Sequence, residues 1–213
     1  MSHYTEEEQI AQIKDWWSRN GKPLLTGGVL AVAMVFGWQG WQKHQTGQQE
    51  QLSALYQQLL DKTFNPEGAD AADVVGLLQK LESVKPGHAY TQYARLLVAR
   101  VAVQDDRLDD AATLLREVAD KPASPVLGEL ARQRLARVLA ASGQAEQALA
   151  LLDGTAPEAY RAARNELRGD LLVQLGRIAD ARKAYEQARD QLSESSATGS
   201  LMMKLDDLST GDA

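Results

Sequence analysis

An uncharged run near the N-terminus, PLLTGGVLAVAMVFGW, constrains this chain more than any other feature of its sequence; it covers Pro23–Trp38. Between residues 24 and 41 the clearly polar side chains are Thr26 and Gln39. Eighteen residues of α-helix span about 27 Å, close to the hydrocarbon core of a bilayer at about 30 Å. The run therefore predicts a transmembrane helix.

The four tryptophans of the chain support this prediction because they bracket the run, two on each side: Trp16, Trp17, Trp38 and Trp41. Twenty-one residues separate Trp17 from Trp38, which corresponds to about 31 Å of helix. Tryptophan is enriched at both membrane–water interfaces. We interpret the four rings as a belt at the two membrane interfaces.

The residues around the span indicate an uncleaved anchor with the N-terminus in the cytoplasm. A cleaved signal has a short basic leader and small residues after its apolar core, whereas GWQGWQK follows this one. Lys14, Arg19 and Lys22 precede the span, and Lys43 follows it. Because positive charge is retained on the cytoplasmic side, this bias places the large C-terminal domain across the membrane, on the side away from the cytoplasm.

Three segments are predicted: a cytoplasmic leader over residues 1–22, the span over 23–43 and a helical repeat domain over 44–213. The leader pattern TEEEQIAQIKDWWSRNG favours a short amphipathic helix that starts with a Thr5–Glu8 capping box and stops at Asn20-Gly21. Pro23 would begin the next helix. Whether the leader lies on the membrane surface or docks to a cytoplasmic partner stays open.

The large domain contains internal repeats. The segments Arg134–Thr155 and Leu167–Ala188 align at a period of 33 residues, with Gly143 and Gly176 in the turn between two helices. A third copy over residues 98–118 places Asp106 at the turn, 37 residues before Gly143. The pattern resembles the tetratricopeptide repeat, in which small residues let two antiparallel helices pack closely. The predicted fold is all-α: one transmembrane helix followed by a tetratricopeptide-like α-solenoid.

Two further helical segments flank the three repeats. QQEQLSALYQQLLDKTF and AADVVGLLQKLESV predict a helix pair upstream that lacks the repeat signature. SLMMKLDDL predicts a short C-terminal helix that shields the last repeat from solvent.

The composition indicates a binding protein rather than an enzyme. The net charge is −6, which disfavours a nucleic-acid partner, and there is no cysteine. The three histidines, His3, His44 and His88, do not have metal-ligand spacing, and no phosphate-binding glycine loop is present. We predict no catalytic residue, cofactor, metal or small-molecule substrate.

A partner-binding groove is the expected site, because the first helix of each repeat lines the concave face of such a solenoid. Alignment of the three repeats assigns nine positions to it: Tyr93, Leu96, Arg100, Leu130, Gln133, Arg137, Glu166, Asp170 and Val173. The groove is basic at one end and acidic at the other. The charges are either available to a partner or paired with one another between repeats.

The order of these features resembles the YfgM family of Gram-negative inner-membrane proteins, the ancillary subunit of the SecYEG translocon. The resemblance covers nearly the whole chain and is most specific in residues 5–22, 37–45 and 167–188. It implies a periplasmic repeat domain beside the translocon, partnership with the membrane-anchored periplasmic chaperone PpiD, and transfer of emerging proteins to periplasmic chaperones. It also implies a role for the leader in restraining the Rcs stress-response regulator.

Two functional classes remain open at this point. One is a membrane-tethered adaptor or co-chaperone at the translocon. The other is a structural scaffold of a different cell-envelope assembly complex. Because repeat grooves are generic, the groove residues alone do not separate them.

Overall fold

The computed structural model describes residues 6–64, 70–192 and 199–210, and all regular structure in these ranges is helical. The helices are α1 (Glu6–Thr63), α2 (Ala71–Val84), α3 (Ala89–Gln104), α4 (Leu108–Asp120), α5 (Pro125–Ala141), α6 (Ala145–Leu151), α7 (Arg161–Gln174), α8 (Ile178–Asp190) and α9 (Gly199–Thr210). A short 3-10 helix covers Glu158–Tyr160. The chain divides into two compact units, Met1–Gln51 and Leu52–Ala213.

Helix α1 is continuous where the sequence predicted separate helices. The predicted stop at Asn20-Gly21 and the new start at Pro23 are wrong, since both lie inside α1. Instead of ending a helix, Gly21 provides room for a neighbouring ring: a Cβ there would lie 3.2 Å from Trp17 Cε2. The side chain of Asn20 donates to the Trp16 carbonyl at 3.0 Å, and that of Thr26 donates to the Lys22 carbonyl at 2.5 Å. The predicted Thr5 cap lies outside the described residues.

In the first unit, the apolar part of α1 exposes its side chains over the whole helix circumference. The large hydrophobic residues of this part are each more than half exposed: Leu24, Leu25, Val29, Leu30, Val32, Met34, Val35 and Phe36. A helix that is apolar all round belongs in a membrane or a protein core. Within the described residues, α1 alone is long and apolar enough to cross a membrane. The predicted N-terminal transmembrane helix is confirmed on these grounds, while the predicted segment boundaries at 22/23 and 43/44 stay predictions.

In the second unit, three helix pairs repeat the same turn, as the alignment predicted. These pairs are α3–α4, α5–α6 and α7–α8, and their turn residues Asp106, Gly143 and Gly176 all have positive φ, at 58°, 77° and 73°. In each turn the following amide donates across five residues, as from Gln144 to the Leu139 carbonyl at 2.8 Å. This is the Schellman ending, which favours glycine because it needs a left-handed residue. Asp106 adopts the same conformation at some cost in strain.

Small residues bring the two helices of each pair together at the predicted positions. The first helices contribute Ala99, Ala136 and Gly169, and the second helices contribute Ala111, Ala148 and Ala181. The five alanines are at most 1% exposed. They belong to one continuous apolar core that also contains Leu115 and Leu152.

The four additional residues between the first two repeats are fixed by a buried amide. Gln92 is 3% exposed, donates to the Lys121 carbonyl at 2.8 Å and accepts from the Ala123 amide at 2.7 Å. Ser124 then caps α5 by accepting from the Leu127 amide at 3.2 Å. The linker is therefore an ordered insertion that lengthens one repeat from 33 to 37 residues.

Both flanking segments form helices, as predicted. The end of α1 and α2 pack against α3 through a cluster that includes Leu52, Leu59, Leu78 and Val98. At the other end α9 covers α8, where Leu201 is fully buried with Tyr185 and Ala188. The predicted all-α solenoid with a C-terminal capping helix is confirmed.

Candidate partner-binding groove

A groove of about 440 Å³ lies between α3 and α5, the first helices of successive repeats. Its apolar lining is formed by Leu96, Ala99 and Val103 of α3, Leu115 of α4 and Val138 of α5. Leu96 and Leu115 are 4% and 2% exposed, whereas Val103 is 41% exposed. The groove thus has a fixed buried floor and an accessible rim.

Three arginines line this groove: Arg100 from α3, and Arg134 and Arg137 from α5. In the part of the chain that the structure describes, none of the three forms a salt bridge. Arg137 makes a long contact, at 3.5 Å, with the Gln133 carbonyl, and the Arg100 guanidinium lies 5.2 Å from the centroid of the Phe64 ring. Three positive charges therefore share one groove without a carboxylate.

Burial lowers the pKa of Arg134, and the neighbouring charges of Arg137 and Arg100 lower it further. The physical cause is the cost of holding positive charge near apolar atoms and near like charge. An anion placed between the guanidinium groups would remove part of that cost. The electrostatics of this end of the groove are consequently favourable for a negatively charged group.

Sequence reasoning identified Arg100 and Arg137 but missed Arg134. The alignment counted fixed groove positions in each first helix, and Arg134 does not occupy one. Its spacing provides a signal, because residues i and i+3 of a helix are neighbours on one face. Arg134 therefore lies beside Arg137 on the same side of α5.

Tyr93 and Leu130, which the alignment also assigned to the groove, differ in how far their side chains are exposed. Tyr93 is 42% exposed, and its ring centroid lies 6.4 Å from that of Tyr56. Leu130 is half-buried and packs against the core. Tyr93 offers an aromatic surface, whereas Leu130 contributes mainly to stability.

For Gln133, the prediction of an exposed groove contact is wrong. The residue is 3% exposed and donates to Glu129 Oε1 at 2.9 Å and to the Tyr160 carbonyl at 3.3 Å. Glu129 is fully buried and accepts from Arg164 Nε at 2.8 Å, with a second bond from Arg164 Nη2. Arg164 also donates to the Gly154 carbonyl at 3.1 Å.

This buried network stabilises the junction of the second and third repeats. Burial acts to raise the pKa of Glu129, but hydrogen bonds from Arg164 and Gln133 and the charges of Arg164 and Arg132 outweigh it. The pKa of the Glu129 carboxyl is therefore below its ordinary value, and the side chain stays ionised inside the domain. Gln133 therefore contributes to the stability of the fold through its hydrogen bonds in this network.

At the acidic end, the charges are paired within the chain. Lys204 of α9 lies 2.8 Å from Glu166 Oε1 and 2.7 Å from Asp170 Oδ1. Asp170 also accepts a hydrogen bond from the Tyr185 hydroxyl at 2.8 Å. The acidic residues thus pair with the capping helix α9 and not with the charges of another repeat, while the three arginines at the basic end form no salt bridge within the described residues. Val173, on the same helix, is 38% exposed.

The tryptophan belt residues all lie on α1. Trp16, Trp17, Trp38 and Trp41 are each between 50% and 64% exposed, and each pair is in contact, with ring centroids 6.5 Å and 5.3 Å apart. Their role at the membrane interface stays a prediction.

Within residues 6–64, 70–192 and 199–210 no cluster of three or more His, Asp or Glu side chains could hold a metal ion. Around the first turn, Asp105 and Asp110 both pair with Arg107, at 3.3 and 3.0 Å.

Comparison with known proteins agrees with this architecture. Residues 14–210 match the family model of a tetratricopeptide repeat-like domain. A Haemophilus influenzae protein named ancillary SecYEG translocon subunit is 32% identical, over 91% of this chain and 94% of the relative. Proteins of the same name from Aggregatibacter actinomycetemcomitans and Escherichia coli are 31% and 28% identical, over 89% and 96% of this chain and 92% and 97% of their own lengths. The similarity includes the membrane helix as well as the repeats.

Proposed function

Because the chain belongs to the tetratricopeptide repeat-like family of the ancillary SecYEG translocon subunits, we propose that it is a membrane-tethered adaptor at the Sec translocon. One observation carries the proposal. The chain joins a membrane helix to a repeat domain, and over 91% of its length it matches a protein named as a translocon subunit. The helix holds the protein in the membrane, and the repeat domain binds partners.

In this proposal the repeat domain is periplasmic and receives proteins as they emerge from the translocon. The excess of lysine and arginine before the span supports a cytoplasmic N-terminus. The partner is a membrane-anchored periplasmic chaperone of the PpiD type, to which emerging proteins pass. An open groove with unpaired arginines supports binding by the repeat domain.

Tethering decides how strong that binding has to be. Two proteins held in one membrane meet at high effective concentration, so even weak contacts become effective. A groove affinity in the micromolar range, about −8 kcal/mol, is enough for such a role. Strong binding would instead slow the release of a passing protein.

Site-specific photocrosslinking in native membranes tests the proposal. A crosslinking amino acid at Val103, on the accessible rim of the groove, should yield adducts with translocon subunits or a periplasmic chaperone. Arg116, which is exposed on α4, provides the matched control position on a second helix. The translocon role would be refuted if translocon subunits were absent from the adducts at both positions and were also absent from native co-purification.

A protease-protection experiment tests the orientation independently. Protease added to spheroplasts should digest the segment after Trp41 and leave the leader intact. Digestion of the leader alone would reverse the topology and exclude a periplasmic repeat domain.

The leader supports a second candidate function, binding of a cytoplasmic regulator of the envelope stress response. Ile10, Ile13 and Trp17 are 53%, 66% and 50% exposed and recur at helical spacing. Replacing Ile10 and Ile13 by serine should change the stress response and leave translocon co-purification unchanged. A stress response that is unaltered by these changes would assign the leader to the membrane surface.

A further inference from the structure

We propose that the arginine groove binds an extended acidic segment of a protein, with one aliphatic side chain on the apolar floor and carboxylates on either side of it. The arginine groove is defined by Arg100, Arg134 and Arg137 around the buried floor of Leu96 and Leu115, with Val103 at its rim. This inference rests on the proposed adaptor function and specifies the chemistry of its partner.

The charge of the groove determines the charge of the ligand. Guanidinium groups form paired hydrogen bonds with carboxylates and are well suited to charged contacts at interfaces. Here three of them converge while the protein as a whole carries a net charge of −6. Most of the other described arginines of the solenoid pair with nearby acids, as Arg95 does with Glu82 and Glu117 at 2.9 Å, whereas Arg116 and Arg161 form no salt bridge within the described residues. The arginine groove departs from this pattern and leaves its positive charge available.

The floor determines the second feature of the ligand. Leu96 and Leu115 are buried beneath the arginines, and the groove volume of about 440 Å³ lies within the range of binding clefts. An apolar side chain can reach this floor only from a segment that lies along the groove. A purely acidic ligand would leave the floor covered by water.

The geometry favours a peptide over an anionic membrane surface. A flat array of lipid headgroups is met by cations that project from a surface, whereas these arginines flank a recess between two helices. The guanidinium group of Arg100 lies over the Phe64 ring, with 5.2 Å between the guanidinium carbon and the ring centroid. The recess admits a side chain from a narrow chain segment.

The opposite end of the repeats limits where this segment can bind. Glu166 and Asp170 both pair with Lys204 of α9, and these three side chains together carry one net negative charge, which disfavours an acidic ligand there. An acidic segment is therefore directed to the first two repeats, whose first helices are α3 and α5.

Fluorescence anisotropy with the full-length protein in maltoside micelles tests the inference. The probe is a fluorescein-labelled peptide with the core Asp-Glu-Leu-Glu-Asp between Gly-Ser ends. We expect saturable binding at low salt that weakens about tenfold when the acids become amides, as charge-assisted hydrogen bonds require. Replacing the leucine by serine should weaken binding by about five- to tenfold, because the apolar contact is lost.

Matched variants assign the binding to the groove. Arg134→Gln with Arg137→Gln should weaken peptide binding at least about tenfold. The control pair Arg116→Gln with Lys183→Gln makes the same change in net charge on exposed sites of α4 and α8, and should change affinity by less than about twofold. Val103→Glu offers a second way to block the groove, since it places a carboxylate among the arginines. Circular dichroism verifies that each variant keeps its helicity.

Three results would overturn the inference: no peptide binding by the folded wild-type protein, equal losses in the groove and control pairs, or arginine-dependent binding to phosphatidylglycerol vesicles with no peptide binding. The third result would assign the groove to the membrane surface. Co-purification with SecYEG is measured on the same proteins. If the translocon is recovered and the peptide is not bound, the inference fails and the adaptor function stands; if the translocon is never recovered, the adaptor function fails.

Discussion

Gly169→Ala tests whether the third repeat depends on the close contact of a glycine with a tyrosine ring. A Cβ on Gly169 would lie 2.2 Å from Tyr185 Cε1 and 2.3 Å from Cδ1. Tyr185 is 3% exposed, and its hydroxyl bonds to Asp170, so the ring has little freedom to move. At the same positions the second repeat has Ala136 and Leu152, both buried.

The expected change in the free energy of unfolding on Gly169→Ala combines two opposing effects. Overpacking a well-packed site costs about 1–3 kcal/mol, while replacing glycine by alanine in a helix gains up to about 1 kcal/mol. We therefore expect Gly169→Ala to lower the free energy of unfolding by about 1–2 kcal/mol. Tyr185→Leu removes a hydrogen bond and part of a buried ring, at about 2–3 kcal/mol.

The two changes together should reproduce the alanine–leucine packing of the second repeat. The double variant is therefore expected to be more stable than the sum of the single costs predicts, with a coupling of about 1–2 kcal/mol. Urea denaturation of the full-length protein, followed by circular dichroism in detergent, measures this double-mutant cycle. Each kcal/mol corresponds to about 2–4 °C in the unfolding midpoint of a chain of this size.

Ala136→Gly with Leu152→Tyr provides the reciprocal control, because it transfers the third-repeat pair to the second repeat. The packing argument is refuted if Gly169→Ala raises stability, or if the two single effects add without coupling. Either result would mean that Tyr185 moves away from the added methyl group at negligible cost.

Arg164→Met should cost about 3–5 kcal/mol in urea denaturation, because it removes the two hydrogen bonds from Arg164 and leaves the buried Glu129 carboxylate with Gln133 and the more distant Arg132; Arg116→Met, on the surface, should change stability by less than about 0.5 kcal/mol. The lowered pKa of Glu129 means that its contribution to stability is present above the ordinary glutamate pKa, near 4.5, and is lost as the pH falls below it. Thermal unfolding between pH 6 and about pH 3 should show this loss, and a midpoint independent of pH would contradict it. Burial acts to lower the pKa of Lys204, but its hydrogen bonds to Asp170 and Glu166 raise it overall. The contribution of Lys204 to stability should therefore be present below the ordinary lysine pKa of 10.5, and it should be lost as the pH rises through the pKa of the folded state. Above that pH, amide hydrogen exchange should increase in α9 before it increases in α5. Asp106→Gly should raise stability by about 0.5–1 kcal/mol, since glycine adopts the positive φ of this turn without strain; an unchanged unfolding midpoint would exclude strain at the turn.

The repeats were predictable because they depend on local requirements that recur along the sequence. Each pair of helices needs small residues at its closest approach and a left-handed residue at its turn. Gly143 and Gly176 meet the second requirement directly, and Asp106 could be recognised by its place in the register although its residue type is less common there. A residue that fits one copy of a repeat can thus be tested against the other two.

The continuity of α1 was not predictable from the same kind of signal. Asn20-Gly21 and Pro23 resemble a helix end and a helix start, but each of these signals is worth only a few kcal/mol. An irregular segment next to an apolar span would leave several backbone groups unpaired near lipid, which is more costly. Continuation of the helix avoids this cost, and the side chain of Thr26 adds a bond to a carbonyl next to the proline.

The charges of the groove could be identified from the sequence, but their pairing could not. Lys204 reaches Asp170 across 34 residues of sequence, through a helix that lacks the repeat signature. Gln133 occupies a groove position in the alignment, yet the buried pair of Glu129 and Arg164 draws it into the core. Such pairings depend on how several helices pack together. The spacing of residues along one helix gives no information on that packing.

The division between a paired acidic end and an unpaired basic end connects the fold to the proposed adaptor role. The acidic end serves stability, because Lys204 fixes the capping helix to the last repeat through Glu166 and Asp170. The basic end gives up stability, because three arginines share a groove in which no described carboxylate pairs with them. A ligand that supplies those carboxylates would relieve the repulsion, and salt would weaken the contact. Attachment to the membrane compensates for a weak contact by raising the local concentration of membrane-bound partners. An adaptor of this design binds readily beside the translocon and releases readily.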